Sequence, residues 1–367
     1  MYPRHRLFEY GPRPYHAQRR QTLSVHKHPS GCACGIDTHA HVVPEDFPAY
    51  IGSKAPGDWP SMAAAQACHR NVMISGKVYR AVSDKCWDTA GRIADLPGMG
   101  LSLQVVSPMP ELLSYWMQPA DAQQLLRFLN DQIAGMVAES GGALAGLGAV
   151  PLQDLDLAIR ELDYVVKVLG FPGVEVGSNI NGAPIGDPRF DPFFEACEAL
   201  GACVFVHAIR PAGMDRLVGP PALQQVLAYP GDVGLAAASV ITSNLLVRRP
   251  KLRIAFSHGG GTLGLLLPRL QQGWGVFPAL KEQVEEAPLE QARKLFYDTL
   301  VFDTNALRYL AGTFGPTQLL VGTDYPFNFH DRTPVQRIGA AGFDADTTAM
   351  LVHRNAERFL ARQKEST

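Results

Sequence analysis

The stretch Gly35-Ile36-Asp37-Thr38-His39-Ala40-His41 decides the fold, because it has the pattern of a short strand that ends in two histidines. Side chains two positions apart on a strand point to the same face, so His39 and His41 can converge on one metal ion. The pair alone is weak support, since chance predicts about 0.3 such pairs in this chain. His26 and His28 have the same spacing in polar sequence. The interpretation therefore depends on ligand-type residues at other strand ends.

The bulk composition is typical of a globular protein with a large core. Hydrophobic residues make up 46% of the 367 residues, and the formal net charge is −2, which gives no indication of nucleic acid binding. No apolar run approaches the ~18–20 residues that cross a bilayer. The six cysteines form no CxxC pair, which favours reduced thiols and a cytoplasmic location. We expect a small-molecule partner, with neither nucleic acid nor membrane.

Short apolar strands alternate with helices along most of the chain. Residues 1–31, rich in Arg, His and Pro, predict a flexible N-terminal arm or one that lies on a partner subunit, with a transit peptide as the less favoured alternative. A segment rich in Pro, Gly and Ala at about 44–88 predicts a small subdomain inserted after strand 1. About eight apolar strands separated by helices predict an α/β protein with a parallel sheet. We expect a (β/α)8 TIM barrel over residues 32–367. A doubly wound open sheet is the alternative, but no G-x-G-x-x-G follows the first strand.

Ligand-type residues end several of these predicted strands. His207 and His258 each follow a strand directly, and Asp324 comes two residues after the strand segment Leu319–Gly322. The C-terminal ends of barrel strands all face one mouth, where active sites lie. Together with the first pair, these residues predict a metal site, which suits Zn²⁺ well and Mn²⁺ or Fe²⁺ acceptably.

These motifs resemble the amidohydrolase superfamily, and more closely its decarboxylase branch, the relatives of α-amino-β-carboxymuconate-ε-semialdehyde decarboxylase. The resemblance extends from about residue 35 to 362 and leaves the N-terminal arm out. The matching segments are His39-Ala40-His41, His207, Ser257-His258-Gly259-Gly260-Gly261, Gly322-Thr323-Asp324-Tyr325-Pro326-Phe327, Tyr79-Arg80-Ala81-Val82, Cys86-Trp87-Asp88, Ser114-Tyr115-Trp116, Gly170-Phe171-Pro172-Gly173-Val174 and Arg249-Pro250-Lys251-Leu252.

The resemblance implies a distorted (β/α)8 barrel that forms a homodimer and binds one Zn²⁺ per chain. It implies that His258 is the general base, that Asp324 belongs to the catalytic set, and that Arg80 in the insertion binds a substrate carboxylate. The two-metal hydrolases of the superfamily carry a bridging lysine on the fourth strand, and Gly173–Gly177 has none, which agrees with one metal. The implied metal ligands are His39, His41, His207 and Asp324.

Two departures from the family fall on substrate recognition. Phe277 stands where the semialdehyde decarboxylases have a second arginine that the partner subunit contributes. The usual Pro-Trp after His207 is replaced by Ala208-Ile209, with Arg210 close behind. A substrate with one fewer carboxylate, or one bound by Arg210, fits these changes. The expected substrate-binding residues are Arg80, Arg210, Trp116 and Phe327.

The expected reaction is a metal-dependent, non-oxidative decarboxylation of an unsaturated or aromatic acid, either carboxymuconate-semialdehyde-like or hydroxybenzoate-like. Zn²⁺ lowers the pKa of its bound water to near ~7, and His258 takes the proton and later returns it at carbon. One alternative is a metal-dependent hydrolase or hydratase acting on a ring-cleavage product, because the same residues can cleave amides and lactones. A barrel without catalytic activity is the other, and the intact set of metal-site residues argues against it.

Overall fold

A closed ring of parallel strands forms the centre of the computed structural model, which describes residues 34–361. The ring strands are β1 (Gly35–Val42), β5 (Leu101–Pro108), β6 (Leu144–Gly146), β7 (Gly148–Ala149), β8 (Gly173–Gly177), β11 (Cys203–His207), β12 (Arg253–Phe256), β13 (Phe296–Asp298) and β14 (Leu319–Leu320). One sheet has the order β1-β5-β6 and a second the order β14-β13-β12-β11-β8-β7. The two sheets are linked on one side by β6 and β7, which are separated by one residue, and on the other by a parallel bridge between Asp37 and Val321.

Helices connect the ring strands and cover the outside of the ring, an arrangement consistent with the predicted (β/α)8 barrel. Their apolar faces pack against strands such as β8 and β11, in which every residue is buried. The helices are α1 (Thr89–Asp95), α2 (Pro119–Glu139), α3 (Leu155–Asp163), α4 (Asp191–Leu200), α5 (Tyr229–Thr242), α6 (Leu245–Arg248), α7 (Leu263–Val276), α8 (Pro278–Gln283), α9 (Pro288–Ala292), α10 (Thr304–Phe314), α11 (Pro334–Ala340), α12 (Ala345–Ala349) and α13 (Asn355–Phe359).

The interior of the ring determines which way the strand-end residues point. Cys203 and Phe205 of β11 belong to the inner apolar cluster, while Val204 and Val206 pack with the outer one. Because side chains alternate along a strand, His207 at the end of β11 faces inward like Phe205. The inner cluster includes residues of α13, so the closing helix covers one end of the ring and the histidines lie towards the other.

A three-stranded antiparallel sheet lies between β1 and α1. It consists of β2 (Ser61–Ala64), β3 (His69–Ile74) and β4 (Lys77–Ser83), in the order β2-β3-β4. Ser75 and Gly76 connect β3 to β4 with φ angles of 51° and 70°, as a two-residue hairpin turn requires. This sheet carries Arg80 on β4.

Two short strands, β9 (Asn179–Ile180) and β10 (Ala183–Pro184), pair in antiparallel fashion after β8. Among residues 34–361, no helix has both the length and the apolar character needed to cross a membrane. The flexible arm predicted for residues 1–31 lies outside the described residues.

Candidate active site

Three histidines and one aspartate meet inside the ring, at the C-terminal ends of β1 and β11 and just after β14. The Nε2 atoms of His39 and His41 are 3.0 Å apart. Asp324 Oδ1 lies 3.1 Å from Nε2 of His41 and 3.5 Å from Nε2 of His39. His207 completes the group. Each of the four residues offers one ligand-type atom, and these four atoms all lie within 4.8 Å of one another. The structure thus brings together all four residues expected to bind the metal.

The second ring nitrogen of each histidine has its own partner, which directs Nε2 towards the centre. Nδ1 of His39 donates to Asp298 Oδ2 at 2.7 Å, Nδ1 of His41 to the carbonyl of Pro108 at 3.2 Å, and Nδ1 of His207 to the carbonyl of Ala208 at 2.8 Å. Partners of this kind fix the tautomer of histidines that ligate metals.

The fit of a metal to this site rests on His207. Its Nε2 is fully buried and has no hydrogen-bond partner within residues 34–361. A buried polar atom without a partner costs about 1–3 kcal/mol, unless something else satisfies it. Three imidazole nitrogens and a carboxylate oxygen form a donor set that Zn²⁺, Mn²⁺ and Fe²⁺ accept. The residues present therefore fit a divalent metal ion.

Electrostatics in the cluster favour an ionised carboxylate and a basic imidazole. Burial alone would raise the pKa of Asp324, but hydrogen bonding to His41 and the charges of the histidines hold it well below its usual range. Burial alone would lower the pKa of His39, but the hydrogen bond and charge of Asp298 raise it to about 9. A more basic Nε2 is a better metal ligand.

Two buried acids next to the cluster were not predicted from the sequence. Asp298 is the last residue of β13, and its Oδ2 accepts the hydrogen bond from Nδ1 of His39. Its Oδ1 accepts hydrogen bonds from the backbone N–H groups of Gly259, at 2.8 Å, and Leu300, at 3.0 Å. Its place at a strand end is the signal that would have identified it. Glu175 in the middle of β8 lies 3.8 Å from Nδ1 of His41 and accepts a hydrogen bond from Ser107. Burial raises the pKa of Glu175 to about 8.

His258 stands beside the cluster, directly after β12 and Ser257. Its φ angle is 53°, and its Nδ1 is 3.1 Å from the hydroxyl of Ser257. The ring centroid of His258 is 5.0 Å from that of His207. Burial, followed by the charge of His39, lowers the pKa of His258 to about 4. At neutral pH the imidazole is therefore uncharged.

A cavity of about 300 Å³ adjoins the cluster and gives a substrate access to it. His207, His258 and Asp324 form part of its lining. Arg80 and Phe327 also line it, and the guanidinium carbon of Arg80 is 4.3 Å from the ring centroid of Phe327. Within the described residues, Arg80 is the only arginine or lysine that lines this cavity. A substrate carboxylate in the cavity can thus pair with the guanidinium of Arg80, the single arginine or lysine of the described lining.

Arg210 and Trp116 contact each other, but neither is among the described residues that line the cavity. The guanidinium carbon of Arg210 is 3.1 Å from the centroid of a Trp116 ring, and the Arg210 side chain is 49% exposed. The expectation that both bind substrate stays a prediction. The loop after β11 allows Arg210 to point away from His207, although only three positions separate them. The guanidinium of Arg210 pairs with the carboxylate of Glu111. Phe277 is exposed just beyond α7 and does not line the cavity either.

Comparisons with known proteins agree with this geometry. The family model described as amidohydrolase matches residues 36–362. The 2-amino-3-carboxymuconate-6-semialdehyde decarboxylase of Dictyostelium discoideum is 36% identical over 328 residues, which cover 89% of this chain and 91% of that protein. The structure of 5-carboxyvanillate decarboxylase from Sphingomonas paucimobilis is similar, with a TM-score of 0.73 and 25% identity, over 90% of this chain and 99% of that one.

A further solved structure with the same fold contains a metal. The dihydroxybenzoic acid decarboxylase of Polaromonas sp. JS666, with bound manganese and 2-nitroresorcinol, has a TM-score of 0.69 and 19% identity, over 90% of this chain and 98% of that one. In this chain, the donor set of three histidines and one aspartate fits a divalent metal ion. The family match spans nearly all of the described residues and confirms the resemblance seen in the sequence. This chain therefore belongs to the amidohydrolase family, and decarboxylases are among its relatives.

Proposed function

We propose that this protein is a metal-dependent carboxy-lyase that removes CO₂, without oxidation, from an unsaturated or aromatic carboxylic acid. The observation that carries the proposal is that Arg80, the only arginine or lysine in the described lining of the cavity, shares that lining with His207 and Asp324 of the metal-ligand cluster. The relatives named as decarboxylases of carboxymuconate semialdehyde and carboxyvanillate support this reaction class.

The proposed metal ligands are His39, His41, His207 and Asp324. The ion is Zn²⁺ in our proposal, with Mn²⁺ or Fe²⁺ as alternatives. Such an ion supplies Lewis-acid charge that stabilises the electron density left on the substrate when CO₂ departs. Asp298 keeps the proton of His39 on Nδ1, so that Nε2 stays available as a ligand.

The remaining residues bind the substrate and move a proton. Arg80 pairs with a carboxylate through its guanidinium fork, and its contact with Phe327 restricts the orientation of that fork. The bond between the carboxylate carbon and the rest of the substrate breaks, and its electron pair stays on the substrate carbon. His258, neutral before the reaction, takes up one proton from water and delivers it to that carbon, so that R–COO⁻ and one solvent proton give R–H and CO₂. The overall reaction is redox-neutral.

The domain organisation that we propose places this chemistry in one barrel over residues 32–367. The insertion at about 44–88 contains the sheet β2-β3-β4 and supplies Arg80 to the barrel mouth. The protein is a homodimer in this proposal, on the resemblance to the decarboxylase branch.

Product analysis tests the proposed reaction against hydrolysis or hydration. The metal-loaded protein would be incubated in ¹⁸O-labelled water with carboxymuconate semialdehyde and with hydroxybenzoates. We expect CO₂ release and a product that has lost its carboxylate and gained one hydrogen. A product that keeps the carboxylate and carries ¹⁸O would instead identify a hydrolase or hydratase.

A further inference from the structure

Glu111 is a second acid in the cavity lining, and the proposed mechanism does not use it. It lies in the short 3₁₀ helix Pro110–Leu113, which follows β5 closely, and its side chain is only 11% exposed. Acidic side chains are seldom buried without a partner or a function. An acid at this depth, in a cavity built for an anionic substrate, therefore calls for a physical explanation.

The two carboxylate oxygens of Glu111 have different surroundings. Oε1 accepts hydrogen bonds from Arg210, at 3.3 Å from Nη2 and 3.4 Å from Nε. Within residues 34–361, no hydrogen bond to Oε2 is present. Oε2 is therefore an acceptor with free capacity on a residue that lines the cavity.

Arg210 fixes the orientation of this carboxylate. Its guanidinium lies on Trp116, and its backbone has a φ angle of 39°, an uncommon conformation for a side chain of this size. Stacking and pairing together restrict the guanidinium, so Oε1 of Glu111 is committed to Arg210. Burial raises the pKa of Glu111, and Arg210 and Arg80 partly offset that effect. Arg210 thus contacts a residue of the cavity lining without being among the described lining residues itself.

The charges around the cavity have a consequence for substrate choice. Apart from the proposed metal ion, Arg80 is the one positive partner that the described cavity lining offers to a substrate carboxylate, since no second arginine or lysine lines it. A second carboxylate near Glu111 would meet a like charge, which is unfavourable in a partly desolvated site. A hydroxyl or amino group in the same place would donate a charge-assisted hydrogen bond to Oε2.

We propose that Glu111 is a specificity-determining residue that selects acids carrying a hydroxyl or amino donor as their second polar substituent, and rejects acids carrying a second carboxylate there. This inference rests on the proposed function, since it assumes that the cavity binds the acid to be decarboxylated. A hydrogen bond to a charged group corresponds to about 10- to 100-fold in affinity.

A panel of matched ligands and one isosteric variant test the proposal. The ligands are 2-hydroxybenzoates with a second substituent at ring position 3, 4, 5 or 6, a hydroxyl in one series and a carboxylate in the other. Dissociation constants of the metal-loaded protein are measured by stopped-flow fluorescence before turnover, and CO₂ release is measured separately. Glu111→Gln keeps Oε1 for Arg210 and turns an NH₂ donor towards the cavity. Glu195→Gln is the matched control, since Glu195 pairs with Arg249 at 2.8 Å on the surface.

In the wild type and in Glu195→Gln, we expect at least one hydroxyl ligand to bind about 10- to 100-fold more tightly than its carboxylate counterpart. In Glu111→Gln this preference should be lost or reversed. No hydroxyl preference in the wild type, or the same preference in Glu111→Gln, would overturn the proposal. If Glu111→Gln does not fold, Glu111→Asp withdraws the carboxylate by one methylene, and an unchanged preference there overturns it equally.

The two measurements separate this inference from the proposed function. A preference that depends on Glu111 without any CO₂ release would support the specificity role and contradict decarboxylation. CO₂ release with a preference that does not depend on Glu111 would support decarboxylation and contradict the specificity role.

Discussion

Replacing Asp298 by asparagine tests how the site is organised to bind a metal. Asp298 is fully buried, with Oδ2 accepting Nδ1–H of His39 and Oδ1 accepting the backbone N–H groups of Gly259 and Leu300. An asparagine oxygen at the Oδ1 position keeps both backbone hydrogen bonds, so the NH₂ group faces Nδ1 of His39. A donor at that point forces the imidazole proton onto Nε2, the atom that we assign to the metal.

We expect Asp298→Asn to weaken metal binding about 10- to 100-fold, the usual effect of losing the outer partner of a ligating histidine. This corresponds to about 1.4–2.8 kcal/mol. Competition with a chromophoric chelator for Zn²⁺ and Mn²⁺ measures the affinity. Asp303→Asn is the matched control, because Asp303 also accepts two backbone N–H groups, from Asn305 and Ala306, but does so as the cap of α10.

Equal metal affinity in the wild type, Asp298→Asn and Asp303→Asn would refute this reasoning. The carboxylate of Asp298 would then have no part in choosing the tautomer of His39. Weaker binding in both variants would point to a general loss of stability. Thermal melts of the metal-free proteins identify that case. A tautomer effect lowers the metal affinity and leaves the melting temperature of the metal-free protein nearly unchanged, whereas a general loss of stability lowers that melting temperature.

Three further substitutions test separate parts of the site. His258→Ala should keep its metal but lose about 100-fold or more in turnover, because the substitution removes the proton-transfer group and leaves the four proposed ligands in place. Loss of the metal, measured by elemental analysis, would make His258 a ligand instead. Arg80→Met should raise KM for a carboxylate substrate about 10- to 100-fold in steady-state kinetics, whereas the control Arg70→Met on β3 should leave KM unchanged. Equal KM values in the wild type and Arg80→Met would show that Arg80 does not bind the substrate. Arg92→Met should lower the free energy of unfolding by about 2–4 kcal/mol in denaturant titrations, because two buried acceptors, Gln104 Oε1 and the carbonyl of His41, lose their donor. A change below ~1 kcal/mol would contradict a stabilising role of Arg92.

The metal cluster could be predicted from sequence because its members are tied to strand ends. His39, His41 and His207 each belong to or directly follow an apolar run, and the ends of parallel strands meet at one mouth. Asp298 obeys the same rule but was not predicted, because β13 has only three residues and so short an apolar run does not define a strand end. Glu175 gave no such signal, since one acid within an apolar strand does not indicate what it contacts.

Residues in the loops could not be placed in the same way. Arg210 follows His207 by three residues, but its direction depends on its backbone conformation and on Trp116, which is distant in sequence. Glu111 follows Pro110 in the loop after β5, a context equally compatible with solvent exposure. Its burial in the cavity depends on how separate loops pack together, and no periodicity records that packing.

A metal titration of the apoprotein, with CO₂ release as the readout, tests most directly whether this is a metal-dependent decarboxylase. His207→Ala is included because Nε2 of His207 is the buried atom that lacks a protein partner within residues 34–361. We predict that CO₂ release from a hydroxybenzoate or semialdehyde substrate rises with added Zn²⁺ or Mn²⁺ until about one ion per chain is bound, and that His207→Ala shows no such rise. Equal CO₂ release with and without metal would contradict the account. So would a rise of CO₂ release with added metal in His207→Ala that equals the rise in the wild type.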